Sequence, residues 1–482
     1  MTKDCSMTYI LDNRNSDGYK FTKGYYVTKD KMIAVLIGIP LFCAVLFAEN
    51  KISSLISLAC ILFYYLMLFK IRPAVYFRYL HFFFGSAIGI AGCTATEFFE
   101  IELKELSDFS AFHGSLPLLI FSWWMFLATI VTNDERLNEK LCQAGNQRIV
   151  DIKDNFESVT KNKNITLVIA AVAGFVLIAF TYFMVFKNPS FKLGMDRFKY
   201  AKEFDYGFLY SQARRFIRYL IIPCIVVAIY KKNKIGWIAL ALYCLHALWI
   251  GEKFGALFSL LCMLAMIYSQ KIYNETRKAR KLLVVIVIAI IALVGVAVFA
   301  VSFTRDEGTA NYLLPRAAQQ GQLWWKTYES SNTYHIDEFK DELASIERGS
   351  TDIKENVGSQ YGIYKIMYYT APKTQIDAKL DSGSRYTEAG FPAAYYYFGI
   401  PGCIAFAVIG GILTSVFVNY FLYYLRYNQF VRAFIHLRLY TNMTVFMSMF
   451  IFFPFFNKTS ALSYLILLLG RNKIFTFEKE QI

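Results

Sequence analysis

Runs of roughly 18 to 22 apolar residues, separated by short polar connections, recur along almost the whole chain, and each matches the ~20 helical residues that cross a hydrocarbon core. Backbone amides find no water partner there, so a helix, which closes its own hydrogen bonds, is the expected spanning element. The pattern predicts helices at about 32–48, 52–69, 73–95, 115–132, 165–186, 216–230, 235–250, 254–269, 282–303, 393–424, 439–456 and 461–470. The expected fold is therefore all-α: a polytopic helical membrane protein of about twelve spans.

The short connections set the expected orientation. Residues 270–281 hold Lys271, Arg277, Lys278, Arg280 and Lys281, and residues 231–234 hold Lys231, Lys232 and Lys234. Basic short loops stay cytoplasmic. Counting outward from them puts both termini inside, together with Lys70/Arg72 and Arg426/Arg432. It puts the acidic 96–114 connection (Glu97, Glu100, Glu102, Glu105, Asp108) outside. The expected segments are a cytoplasmic start at 1–31, nine spans over 32–303, a large periplasmic loop at 304–389, three spans over 390–470 and a cytoplasmic tail at 471–482. The polar first thirty residues show no small-residue cleavage site, so the first apolar run is expected to remain as a helix.

Composition agrees with membrane embedding. The 482 residues are 56% apolar and only 18% charged, below the quarter or so of soluble domains. The net charge of +15 does not point to nucleic acid, because the cations sit in connections between apolar runs. Nine cysteines fall mostly inside those runs, without metal or redox spacing, and no metal or cofactor is expected.

Two outer segments break the pattern. Residues 187–215 are basic although outside, and residues 304–389 are too long for a structureless loop. Pro315 suits the first turn of a helix, with Arg316, Gln320 and Trp324 following on one face. Ile336, Phe339, Leu343 and Ile346 form an amphipathic stripe ending at Gly349, and a small helical cap is the expectation.

Four groups carry candidate chemistry. Gly251-Glu252-Lys253-Phe254-Gly255 is an outer hairpin with an ionisable pair near the membrane, a position that is costly and marks function by default. A Lys–Glu pair that merely ends two helices accounts for it equally well. Arg305 to Trp325 offers guanidinium groups that bind phosphate oxygens bidentately. Trp324 and Trp325 suit stacking on sugars, or an interfacial aromatic belt. Residues 381–392 place Arg385, Thr387 and Glu388 where the chain re-enters the membrane. Arg214, Arg215 and Arg218 crown another helix, where snorkelling to headgroups is the plainer reading. Arg78 and His81, near an inner helix end, read as structural. Arginines on three outer segments suit a lipid-linked pyrophosphate, whose tail stays in the bilayer while its head meets the protein.

The stretches 251–255, Arg316-Ala-Ala-Gln-Gln-Gly-Gln-Leu-Trp-Trp325, 361–372 and Thr387-Glu-Ala-Gly-Phe-Pro-Ala393 resemble the Wzy-type O-antigen polymerases over about residues 235–425. Arg305 and Gly321 also stand sixteen apart, like arginine–glycine pairs in periplasmic loops of some members. The resemblance implies a GT-C-like inner-membrane glycosyltransferase that joins undecaprenyl-pyrophosphate-linked repeat units at the periplasmic face. Its partners would be those lipid-linked glycans, membrane lipids and a chain-length regulator protein. On this reading Arg305, Arg316 and Arg385 meet the pyrophosphates, Arg214 and Arg215 support them, and Gln320, Lys253 and Trp324 contribute to substrate binding. Glu252, His335 and Glu388, in that order, are candidates for the base that deprotonates the acceptor hydroxyl. An O-antigen ligase and a lipid-linked oligosaccharide flippase are the alternatives.

Overall fold

The computed structural model describes residues 29–101, 103, 105–106, 112–152, 156–195, 197–252, 255–288, 315, 317–330, 334–348, 360–381, 385–426 and 429–476. All regular elements among them are helical. The first half comprises α1 (Lys29–Leu46), α2 (Lys51–Ile71), α3 (Pro73–Arg78), α4 (Leu80–Phe99), α5 (Leu116–Ile152), α6 (Phe156–Val185), α7 (Arg197–Glu203), α8 (Gly207–Tyr230), α9 (Lys234–Trp249), α10 (Gly255–Ile272) and α11 (276–288). The second half comprises α12 (Gln322–Ser330), α13 (Phe339–Arg348), α14 (Gly362–Thr370), α15 (Lys373–Asp381), α16 (Gly390–Arg426), α17 (Phe430–Met449), α18 (Phe453–Phe456) and α19 (Lys458–Thr476).

Among the described residues six helices are long and apolar enough to cross a membrane: Lys51–Ile71, Leu80–Phe99, Leu116–Asn138, Leu167–Val185, Gly255–Ile272 and Gly390–Arg426. The faces of α2 and α6 that turn away from the bundle expose Leu55, Leu62, Phe63, Leu66, Val168, Ile169, Val176 and Phe183. Contiguous apolar surface of this kind suits lipid and not water. Other helices expected to span fall short of that length and hydropathy for readable reasons. The first residues of α1 are Lys29, Asp30 and Lys31, α8 carries Arg214, Arg215 and Arg218, and α9 has 16 residues.

Helix α16 forms the centre, packed on α5 and α17, while α6, α8 and α9 make a second group. Its 37 residues bend at Gly399, whose φ of 62° and the following Pro401 separate a short first helix from a long second one. The expected 393–424 span is thus two pieces. Helix α17 begins nine residues before the expected 439, because Arg432, His436 and Arg438 disguise its start as polar. Inside the fold these groups find local partners: Arg432 lies over the Tyr424 ring, and Arg438 donates to Asn457 Oδ1 at 3.3 Å.

The bundle interior also holds charge. Arg78 at the end of α3 pairs with Asp134 of α5 at 2.8 Å, and both are buried. Tyr79 and Asn419 donate to the same carboxylate oxygen at 2.6 and 2.9 Å, and Tyr273 reaches the other at 3.3 Å. These bonds join α3, α5 and α16 to the turn after α10.

At the opposite end of α4 sits a helical cap built from α12 to α15. Pro315 does open a helical turn, accepting from Gln319 N at 2.9 Å. The expected apolar stripe of α13 is only partly its buried face. Phe339 packs against Tyr397, Phe398 and Phe452, but Ile336 and Leu343 are more than half exposed. Glu342 and Ser345 turn inward instead. Glu342 accepts hydrogen bonds from Gly362 N and, at 2.8 Å, from Tyr397 Oη, so one carboxylate fastens α13 to α14 and α16. A second joint ties the cap to the acidic connection after α4: Glu105 pairs with Lys379 at 2.6 Å and accepts from Gln322 at 2.9 Å.

Candidate functional site

Where the cap meets α4, α5 and α16, a narrow cleft is lined by Gly89, Trp123, Gln320, Gly321, Trp324 and Glu388, with Leu119, Phe391 and Pro392 completing its apolar walls. Helix α4 presents Gly85 and Gly89 one turn apart, and a Cβ there would stand 3.6 Å from Glu388 Oε1 and 3.8 Å from Trp123 Nε1. A methyl at either position would meet them only at ordinary contact distance, so the glycines border the cleft closely without being required by it. Trp324 is buried, its indole N–H donating to Ser115 O at 3.0 Å. Ser115 is held in turn by Glu97, which accepts its backbone N–H at 2.7 Å and its hydroxyl. Trp123 stands edge-on to Phe391 at 5.0 Å. Opposite them, Gln320 Oε1 accepts from Thr387 Oγ1 at 3.1 Å, linking the cap to the residue before Glu388.

Glu388 has φ of 59°, a left-handed conformation that a non-glycine residue seldom adopts. The strain is held in place by the next two residues. Ala389 N donates to Ser448 O at 2.8 Å, and Gly390 is pressed so close to Met447 O that a Cβ would stand 1.9 Å from it. Among the described residues the Glu388 carboxyl has no hydrogen-bonding or charged partner, and desolvation alone pushes its pKa up to about 7. A carboxyl poised there exchanges its proton near neutrality, the property required of a general acid or base. Strained backbone, apolar walls and a carboxyl without a partner among the described residues together make this the candidate site.

The structure brings three of the sequence candidates, Gln320, Trp324 and Glu388, to one cleft. The others described lie elsewhere. Glu252 pairs with Arg197 at 3.1 Å beside α7. His335 stacks on Tyr396 at 4.2 Å, donates its backbone N–H to Tyr396 O and faces Glu338 at 3.4 Å. Glu338 is itself held by Lys365 and Tyr396, and these partners keep its carboxyl below the usual range against the opposing effect of burial. Arg385 is exposed and meets Tyr364 Oη at 3.4 Å, three residues from Glu388 but outside the cleft lining. Arg214 and Arg215 are exposed on α8, Arg214 lying 5.8 Å from the Tyr210 ring centre. Lys253, Arg305 and Arg316 lie outside the described residues. Trp123 and the α4 glycines escaped the sequence reading; the only trace was a Gly-x-x-x-Gly spacing in an apolar run, which more often marks helix packing.

Among the described residues no three His, Cys, Asp or Glu side chains gather as metal ligands would. No curated protein and no solved structure matches the chain. Residues 356–465, which include Glu388 and the whole of α16 and α17, match a family of unknown function, DUF6418.

Proposed function

We propose that this protein is a multi-pass glycosyltransferase of a bacterial inner membrane that polymerises undecaprenyl-pyrophosphate-linked oligosaccharide repeat units at its periplasmic face. In this reading the chain crosses about twelve times with both termini cytoplasmic, and 304–389 is the periplasmic loop. The observation that carries it is Glu388: an unpaired carboxyl, held by strained backbone in an aromatic-walled cleft where a loop cap meets apolar helices. A lipid-anchored sugar would arrive at this depth, with Trp123 and Trp324 buried in the wall behind Glu388.

Glu388 takes the proton from the acceptor hydroxyl as its oxygen attacks the anomeric carbon of the donor. The bond from that carbon to the pyrophosphate oxygen breaks, and the pyrophosphate departs with the electron pair. Arg305, Arg316 and Arg385, with Arg214 and Arg215 further out, neutralise the growing charge, as fixed cations do in a low-dielectric site. Glu388 takes precedence over Glu252 and His335 as the base, since those two already have structural partners. A ligase with another acceptor would use the same donor chemistry. The buried Arg78–Asp134 pair supports a transporter as the second reading, because charge inside a bundle often marks a transport path. Purified protein mixed with synthetic lipid-linked repeat units decides between them: polymer is expected, and no turnover would overturn the enzymatic reading.

A further inference from the structure

A second feature lies at the end of the bundle away from the cap. An open groove between α2 and α11 is lined by Phe69, Arg277, Arg280, Lys281, Val284 and Val285. Spacings of three and four place Arg277, Arg280 or Lys281, and Val284 or Val285 along one helical face. The opposite face of α11 is the packing face: Ala279 and Leu283 are buried against Ala74, Phe77, Ala265 and Ile272. The cationic face is therefore surplus to holding the helix in place.

We propose that this groove binds one anionic glycerophospholipid, with its phosphate on Arg277, Arg280 and Lys281 and an acyl chain along Val284, Val285 and Phe69. Three arguments lead there. The lining has three cations and no carboxylate, since nearby Glu275 is paired with Lys278 at 2.9 Å. By contrast, Arg72 on the same side is already matched by Asp30 and Glu135. Charge and apolarity are also ordered by depth: Val284 and Val285, 45% and 60% exposed, follow the cations by about one turn, or ~5 Å along the axis. A phosphate and the start of its acyl chain are arranged in that order, whereas a soluble anion would leave the valines in water. Finally, Phe69 belongs to a helix apolar enough to span, so the groove opens into the bilayer. The inference needs only membrane embedding and is independent of the reaction proposed above.

The test uses the full-length protein in detergent, titrated with phosphatidylglycerol or phosphatidylcholine and read by native mass spectrometry. Wild type is expected to retain one phosphatidylglycerol in preference to phosphatidylcholine. The triple variant Arg277→Ala/Arg280→Ala/Lys281→Ala should bind it about tenfold or more weakly, since each basic residue near a bilayer surface contributes appreciably. Val284→Asn/Val285→Asn should weaken it several-fold with the cations intact. The matched triple Lys231→Ala/Lys232→Ala/Lys234→Ala, in another basic connection, should change nothing, and excess inorganic phosphate should not displace the lipid. Equal retention of both lipids, equal loss in the two triples, or displacement by phosphate would each overturn the assignment. Size-exclusion profiles separate loss of the lipid from loss of the fold.

Discussion

Gly92 of α4 and Gly321 of the cap touch backbone to backbone: a Cβ on Gly92 would stand 2.5 Å from Gly321 N, and one on Gly321 would stand 2.3 Å from Cys93 N. This contact seats the turn that carries Gln320 against the helix that supplies the cleft glycines, so cap and bundle are registered at the site itself. Gly92→Ala should force the turn outward, at the ~1–3 kcal/mol typical of overpacking. Thermal unfolding should show the loss, and limited proteolysis should show a more accessible cap. Gly255→Ala, whose nearest neighbours would be at ordinary contact distance of 3.8 Å, should behave as wild type. Equal behaviour of the two variants would mean that the contact does not hold the cap.

Orientation can be read by thiol labelling in a cysteine-free background. Cysteines at Lys340 and Lys202, both exposed on the cap side of the chain, should react with an impermeant reagent added outside. One at Glu275 should react only after permeabilisation. The opposite pattern would place the Glu388 cleft on the cytoplasmic face.

Glu388→Gln keeps the shape of the side chain and removes its proton chemistry. Activity should fall by about a hundredfold or more, the usual contribution of a general base, with membrane levels unchanged. In wild type the rate should rise with pH through about 7 as the carboxyl ionises. Glu252→Gln loses an ion pair with Arg197 that is substantially exposed and should cost little. Full activity in Glu388→Gln, or a flat pH profile, would remove Glu388 from the mechanism.

Glu342 gives a stability prediction of definite sign. Burial raises its pKa from 4.5 to about 7 even though it accepts hydrogen bonds from Gly362 and Tyr397. The folded state thus holds a proton that the unfolded chain releases. Its stabilising contribution is complete below about pH 4.5 and declines as pH rises towards 7, by up to about 1.4 kcal/mol per pH unit. Glu342→Gln should flatten this part of the stability–pH curve. An unchanged slope would assign the dependence to other groups.

Arg78→Met should be severe, because it leaves the buried Asp134 without its cation, a loss of about 3–5 kcal/mol. Arg78→Met/Asp134→Asn should unfold at a higher temperature than Arg78→Met alone. If the double variant is the less stable, the pair is not coupled as its 2.8 Å separation indicates.

Much of the fold was legible in one dimension. Apolar run length announces a membrane helix because the hydrocarbon core sets a length and forbids unpaired amides, and α2, α6 and α10 cover the runs predicted for them, whereas the expected 73–95 helix is broken at Tyr79 into α3 and α4. The reading failed where charge entered a helix: Arg432, His436 and Arg438 hid the start of α17, since the partners of the two arginines, Tyr424 and Asn457, belong to other elements. The kink at Gly399 and the left-handed backbone at Glu388 were equally hidden, because a dihedral angle depends on what the surrounding chain will tolerate.

Under the polymerase resemblance Glu252, His335 and Glu388 were all candidate bases, for each is ionisable and lies on a segment expected outside. Only the tertiary structure could rank them, since proton affinity depends on neighbours distant in sequence. Glu252 acquires Arg197 from 55 residues away and His335 acquires Tyr396, while Glu388 meets the glycines of α4, an aromatic wall and no counter-charge among the described residues. The sequence determined by itself that the chain is helical, apolar and built for a bilayer, because those properties follow from local composition. Which carboxyl stays unpaired was decided by packing, because desolvation and pairing arise only when separate segments are brought together.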